Sequence, residues 1–210
     1  MGRNKRKQEK RSKKSEPINV RITMSMGEPE LSSLTREDMV TPEKVICSSC
    51  SENVYVKESK IHGRGAFAKR DIKKGELITN YPVDIIVERD LGRATPSKRC
   101  VELYGRKMDL DGDQRHLRNY IIGINDNIFI MGCPEFDNDP TFMGQFINDS
   151  HSHDSTEESI KKYEASFDGH NCMILPSALP SVIARKDIKK DEELLTSYGW
   201  EYWIIYNKNH

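Results

Sequence analysis

Cysteine is scarce and loosely placed in this sequence. Cys47, Cys50, Cys100, Cys133 and Cys172 are five residues in a chain of 210. The odd count and wide spacing exclude a small disulfide scaffold. With no signal-like N-terminus, they predict free thiols in a reducing compartment. No apolar run approaches the roughly 18 residues that cross a bilayer, so no membrane-spanning helix is expected. No cysteine follows Cys172, so no cysteine-rich zinc cluster is expected at the C-terminal end. The lone Cys47-Ser48-Ser49-Cys50 pair cannot fill a tetrahedral zinc site by itself. A P-loop and a Gly-x-Ser-x-Gly elbow are both missing, which excludes the two commonest nucleotide-hydrolase and esterase signatures.

Net charge is also missing, since 33 Lys and Arg balance 33 Asp and Glu. The balance is uneven along the chain. Residues 1–14 carry eight Lys and Arg against one Glu, so the rest is acidic by the same excess. An acidic body suits a basic partner. The basic block suits nucleic acid or an import receptor, which favours a nuclear location over a cytoplasmic one.

Residues 1–45 lack a sustained apolar period and read as a largely disordered tail, with a short helix at Glu37–Val40. Residues 46–210 read as one domain. Val54–Val56, Ala66–Ala68, Glu76–Ile78, Val83–Val87, Tyr120–Ile124, Ile128–Met131, Met173–Leu175 and Ser181–Ala184 are short β-type runs. Turn residues separate them, and Asn125-Asp126-Asn127 predicts a hairpin. The expected class is mainly β with short helices. Residues 88–118 are charged, lack alternation and read as a partly helical insertion. Residues 154–166 read as a helix inside an enlarged loop over 149–169. Ala68–Leu77 and Ala184–Leu194 echo one another, as two similar strand–turn–strand corners would.

Four segments carry the chemistry: HGRGAFAKRDIKKGELI at 62–78, NYIIGINDNIFIMG at 119–132, GQFINDS at 144–150 with HNC at 170–172, and IARKDIKKDEELLTSYGWEYW at 183–203. In this order they resemble the SET-domain protein-lysine methyltransferases across roughly residues 53–203. The resemblance implies small β-sheets around a C-terminal pseudoknot, and methyl transfer from S-adenosylmethionine to a lysine amine with S-adenosylhomocysteine as product. It implies that Gly63, Arg64, Gly65 and Ala66 pass along the cofactor. Asn148, Asp149, Asn171 and Trp203 would complete its site, with Tyr198 and Tyr120 lining the lysine channel as catalytic residues. A histone tail is the favoured substrate.

The chain departs from the family in three places. Asp149 stands where the family commonly has histidine. Thr196 stands where it has an aromatic residue, which predicts room for more methyl groups. His151, His153 and His170 lie in the long loop, and without a cysteine pair at ligand spacing they are not expected to bind zinc. Asp149 and the loop leave a second reading open, a catalytically silent SET-like binding module.

Overall fold

Short runs broken by Gly, Asn, Asp and Pro become four small sheets in the computed structural model. It describes residues 52–150, 156, 158, 161–162, 169–175, 179–199 and 202–203. The N-terminal tail, Glu37–Val40, Cys47, Cys50, His151 and His153 lie outside the described residues. So does most of 154–166, of which Glu158, Lys161 and Lys162 are helical.

Strands β1 (Val54–Glu58) and β2 (Arg64–Ala68) form an antiparallel pair. β3 (Leu77–Asn80), β9 (Cys172–Leu175) and β10 (Ser181–Ala184) form a sheet in the order β3-β10-β9. β4 (Ile85–Glu88), β5 (Arg93–Pro96), β6 (Ile121–Gly123) and β7 (Ile128–Met131) are ordered β5-β4-β7-β6. β8 (Asn148–Asp149) pairs in parallel with β11 (Leu195–Thr196). The expected β-rich class is the observed one. The main core gathers Ile78, Ile122, Ile130, Phe146, Ile147, Val182 and Leu194 from several of these sheets.

The expected hairpin is β6–β7. The side chain of Asn125 closes it by accepting from Asn127 N at 2.9 Å and Ile128 N at 2.7 Å. Tyr120 is not part of its strand. It ends a 3-10 turn over Arg115–Tyr120, and the strand starts one residue later. The 88–118 stretch, read from the sequence as a partly helical insertion, holds α1 at Lys98–Tyr104, capped by Ser97. It also holds β5, which the sequence reading missed. β5 is an edge strand ending in Pro96, so it shows no two-faced apolar pattern. Buried Asp84 anchors the insertion by accepting from Arg99 Nε at 2.6 Å and Cys133 N at 2.7 Å. Burial pushes the Asp84 carboxyl above its ordinary range.

The echoed corners face each other and exchange the same bonds. Ile72 N donates to Ile188 O at 2.9 Å, and Ile188 N to Ile72 O at 2.8 Å. Gly75 N donates to Ala184 O and Asp191 N to Ala68 O, both residues turning with positive φ. Asp71 accepts from Lys190 N and Lys189 Nζ, while Asp187 accepts from Lys74 N and Lys73 Nζ. The sequence echo is therefore a local two-fold clasp, which fixes both ends of the segment leading to residues 192–199.

Those bonds hold both carboxyls below the ordinary aspartate range, first through the backbone N–H and then through the lysine. A depressed folded pKa adds stability above the ordinary value near 3.8, and this is lost as pH falls through the folded value. Asp71→Asn/Asp187→Asn should therefore melt below wild type at neutral pH. The gap should close in acid, as a series of calorimetric melts against pH would show.

Candidate active site

β8 and β11 bring the two chemistry-bearing segments side by side. Asn148 is 7 % exposed. Its Nδ2 donates to His62 O at 3.0 Å, Arg64 O at 3.2 Å and Glu193 Oε1 at 3.1 Å. The amide thus ties the exposed 62–64 turn to the 192–196 segment, while its Oδ1 accepts nothing from the described residues. Gly63 crosses that turn at φ +47°, with open space where a Cβ would stand. Gly65 is needed for a different reason. A Cβ there would lie 2.3 Å from Glu193 Oε1, so its close neighbour is the chain itself.

Ala66 is fully buried in β2, and its carbonyl accepts from Leu194 N. Arg64 turns its guanidinium away, to Asp137 at 2.6 Å, to the Pro134 carbonyl and over the Phe146 ring. Asn171 is spent internally. Its Nδ2 donates to Glu192 Oε1 and Glu193 O, and its Oδ1 accepts from Leu195 N. It positions the 192–195 segment through bonds that leave its amide committed within the protein.

Asp149 is a buried junction. One carboxylate oxygen accepts from Tyr198 N at 2.8 Å and from Trp203 Nε1 at 3.1 Å. The other lies 3.3 Å from His170 Nε2, with both side chains almost fully buried. The corner that lacks histidine at 149 therefore receives an imidazole from 170. Trp203 also stacks on Tyr198 at 6.2 Å between centroids, and Tyr202 meets Tyr198 edge-on at 4.8 Å. Thr196 is buried in β11 beside Asp149 and is not among the residues that line the cavity described next.

Beside Tyr198 is a narrow cavity of about 30 Å³. Tyr81, Gln145, Ile121, Ile122, Ile174 and Tyr202 are among its walls, and exposed Asn119 stands at its edge. That space takes the end of a side chain and excludes anything as large as a nucleoside. Two of the wall hydroxyls, those of Tyr198 and Tyr81, have their hydrogens committed. Tyr198 Oη donates to Ile147 O at 2.7 Å, and Tyr81 Oη donates to Tyr120 O at 2.6 Å. Gln145 is 5 % exposed; its Nε2 donates to Phe136 O, and its buried Oε1 has no partner among the described residues. Burial holds both tyrosines well above their ordinary pKa, so neither is a tyrosinate at neutral pH. The walls therefore offer oxygen lone pairs within an apolar frame, which suits an occupant that donates hydrogen bonds.

Tyr198 lies in this wall as a sequence-named residue, whereas the cavity is not lined by Tyr120, whose backbone carbonyl holds Tyr81. Tyr81, Gln145 and Tyr202 were not singled out from the sequence. Tyr81 sits in an Asn-Tyr-Pro stretch that reads as a plain turn. The available signal was Gly144, where a Cβ would stand 2.9 Å from Tyr81 Cα. Gly144→Ala should push the 144–146 turn off Tyr81 and cost about 1–3 kcal/mol, measurable by urea unfolding.

The SET-domain family model matches residues 63–199. The chain belongs to the SET-domain family. Among solved structures it is similar to the Polycomb repressive complex 2 of Chaetomium thermophilum, at 21 % identity and TM-score 0.39 over 71 % of this chain and 15 % of that one. A structure of ctPRC2 in an autoinhibited conformation bound to S-adenosylmethionine gives 21 %, 0.42, 76 % and 16 %. A Plasmodium falciparum protein described as a candidate histone methyltransferase gives 19 %, 0.35, 72 % and 97 %. The chain thus spans less than a fifth of the length of the Chaetomium chains. A search of curated proteins gave no match.

Proposed function

We propose that this chain transfers a methyl group from S-adenosylmethionine to the side-chain amine of a protein lysine, with a basic segment such as a histone tail as substrate. The observation that supports this most is the Tyr198 cavity, apolar in frame, where the Tyr198 and Tyr81 hydroxyls have their hydrogens committed and face it as acceptors. The chemistry of the donor set fits the cofactor. Asn148 Oδ1 and the exposed 62–64 turn would hold its amino-acid end, with Trp203 held nearby on Asp149. When bound, that group supplies an electrophilic methyl carbon next to a positive sulfur.

The chain's residues then have three tasks. The first is to admit a neutral amine. A free lysine has a pKa of about 10.4, and desolvation between Ile121, Ile122, Ile174 and the tyrosine rings lowers it. The second is orientation. Tyr198 Oη, its hydrogen held by Ile147 O, accepts from the amine N–H and turns the nitrogen lone pair toward the methyl donor. The third is exclusion of water by the Tyr198–Tyr202–Trp203 cluster. The amine proton leaves through the exposed Asn119 side, since the wall supplies no anionic base.

The acidic body would attract a basic substrate, and residues 1–14 would add nucleic-acid affinity or nuclear import. Calorimetric titration with S-adenosylmethionine, followed by mass spectrometry of core histones, tests the proposal. Binding and methylated lysines are expected. No measurable binding would leave the silent binding module as the function.

A further inference from the structure

Cys100 and Cys133 take no part in the site above, yet the fold brings them together from 33 positions apart. Cys100 lies in α1, with its N–H toward the Ser97 hydroxyl at 3.4 Å. Cys133 follows β7, with its N–H held by Asp84. Asp84 also accepts from the side chain of Arg99, the residue before Cys100, so one buried carboxylate ties α1 to Cys133. Their sulfurs are 3.0 Å apart and both residues are fully buried.

We propose that Cys100 and Cys133 form an oxidisable dithiol, which a small peroxide converts into a disulfide joining α1 to the segment after β7. The Cys100 thiolate attacks one peroxide oxygen, the O–O bond breaks, and Cys100 becomes a sulfenic acid with one water released. The Cys133 sulfur then attacks Cys100 Sγ. The S–S bond forms, the S–O bond breaks, and the oxygen leaves as a second water with the Cys133 proton. Two thiols and one hydrogen peroxide give one disulfide and two waters.

The order of these steps follows the pair's polarity. The hydrogen bond with Cys133 lowers the Cys100 thiol below its ordinary range, and the same bond raises Cys133. Access requires α1 to open locally, and its seven residues are too few for a helix that is stable alone. Only a small side-chain movement then separates the sulfurs from the bonded distance of about 2.05 Å.

Cys172 is the internal control. It is buried, its Sγ donates to Leu195 O at 3.3 Å, and burial pushes its thiol up. The cross-link would also reach the active site. Cys133 begins the segment whose Pro134 carbonyl and Asp137 carboxylate hold Arg64, and whose Phe136 carbonyl holds Gln145.

The test uses the full chain, reduced, desalted, treated with hydrogen peroxide, alkylated and mapped by mass spectrometry. A Cys100–Cys133 linked peptide is expected, with Cys172 alkylated. The melting temperature should rise by roughly 5–10 °C, reversed by dithiothreitol and abolished in Cys133→Ser or Cys100→Ser. The proposal is overturned if both cysteines stay alkylatable at a peroxide dose that oxidises Cys47 or Cys50. The same follows if either serine variant keeps the full thermal response.

Discussion

Tyr198→Phe should lower the rate of methyl transfer about 100- to 1000-fold with little change in cofactor affinity. The hydroxyl is the only atom lost. Its hydrogen is held by Ile147 O at 2.7 Å, so what disappears from the cavity is an oriented acceptor. An amine without that acceptor still enters, but its lone pair is no longer directed. The loss should therefore fall on kcat more than on KM. The fold should survive, because the ring keeps its contacts with Tyr202 and Trp203. The unpaired Ile147 carbonyl costs about 1 kcal/mol. Steady-state kinetics with a thermal melt would check both halves; an equal loss of melting temperature and rate would point to misfolding instead.

Asp149→Ala should be the most damaging substitution for stability and cofactor binding together. It strips the acceptor from Tyr198 N and Trp203 Nε1 and leaves His170 facing a cavity. Removing one member of such a buried polar group costs about 3–5 kcal/mol, or roughly 10 °C in melting temperature for a chain of this size. Because the same carboxylate holds the Tyr198 backbone and the Trp203 ring, cofactor affinity should fall with it. Asp149→Asn keeps the shape and one acceptor, so its loss should be smaller. Chemical unfolding of the three proteins, with cofactor titrations, orders them as wild type, Asn, Ala.

Part of the candidate site was legible from local order in the sequence. Asn148, Asp149 and Tyr198 are brought together by β8 and β11, two-residue strands that pair in parallel. Their motifs were readable because each is contiguous. What Asp149 does was not, because its partner His170 lies 21 residues away across a loop with no periodic pattern. The cavity wall was hidden for the same reason. Tyr81 and Gln145 meet only because Gly144 lets two turns touch, a tertiary contact that no hydrophobic period announces. Thr196, which reads in the sequence as extra room in the channel, pairs with Asp149 in the β8–β11 register. Fold class was easier, since β-type runs and turn residues recur throughout. The edge strand β5 escaped because Pro96 and its half-buried, mixed residues show no alternation.

The most direct test is radiolabelled methyl transfer from S-adenosylmethionine to core histones and a lysine peptide array, run with wild type and Tyr198→Phe. The account predicts label on lysine with wild type and a loss of at least two orders of magnitude with the variant. Equal incorporation by the two proteins would contradict it.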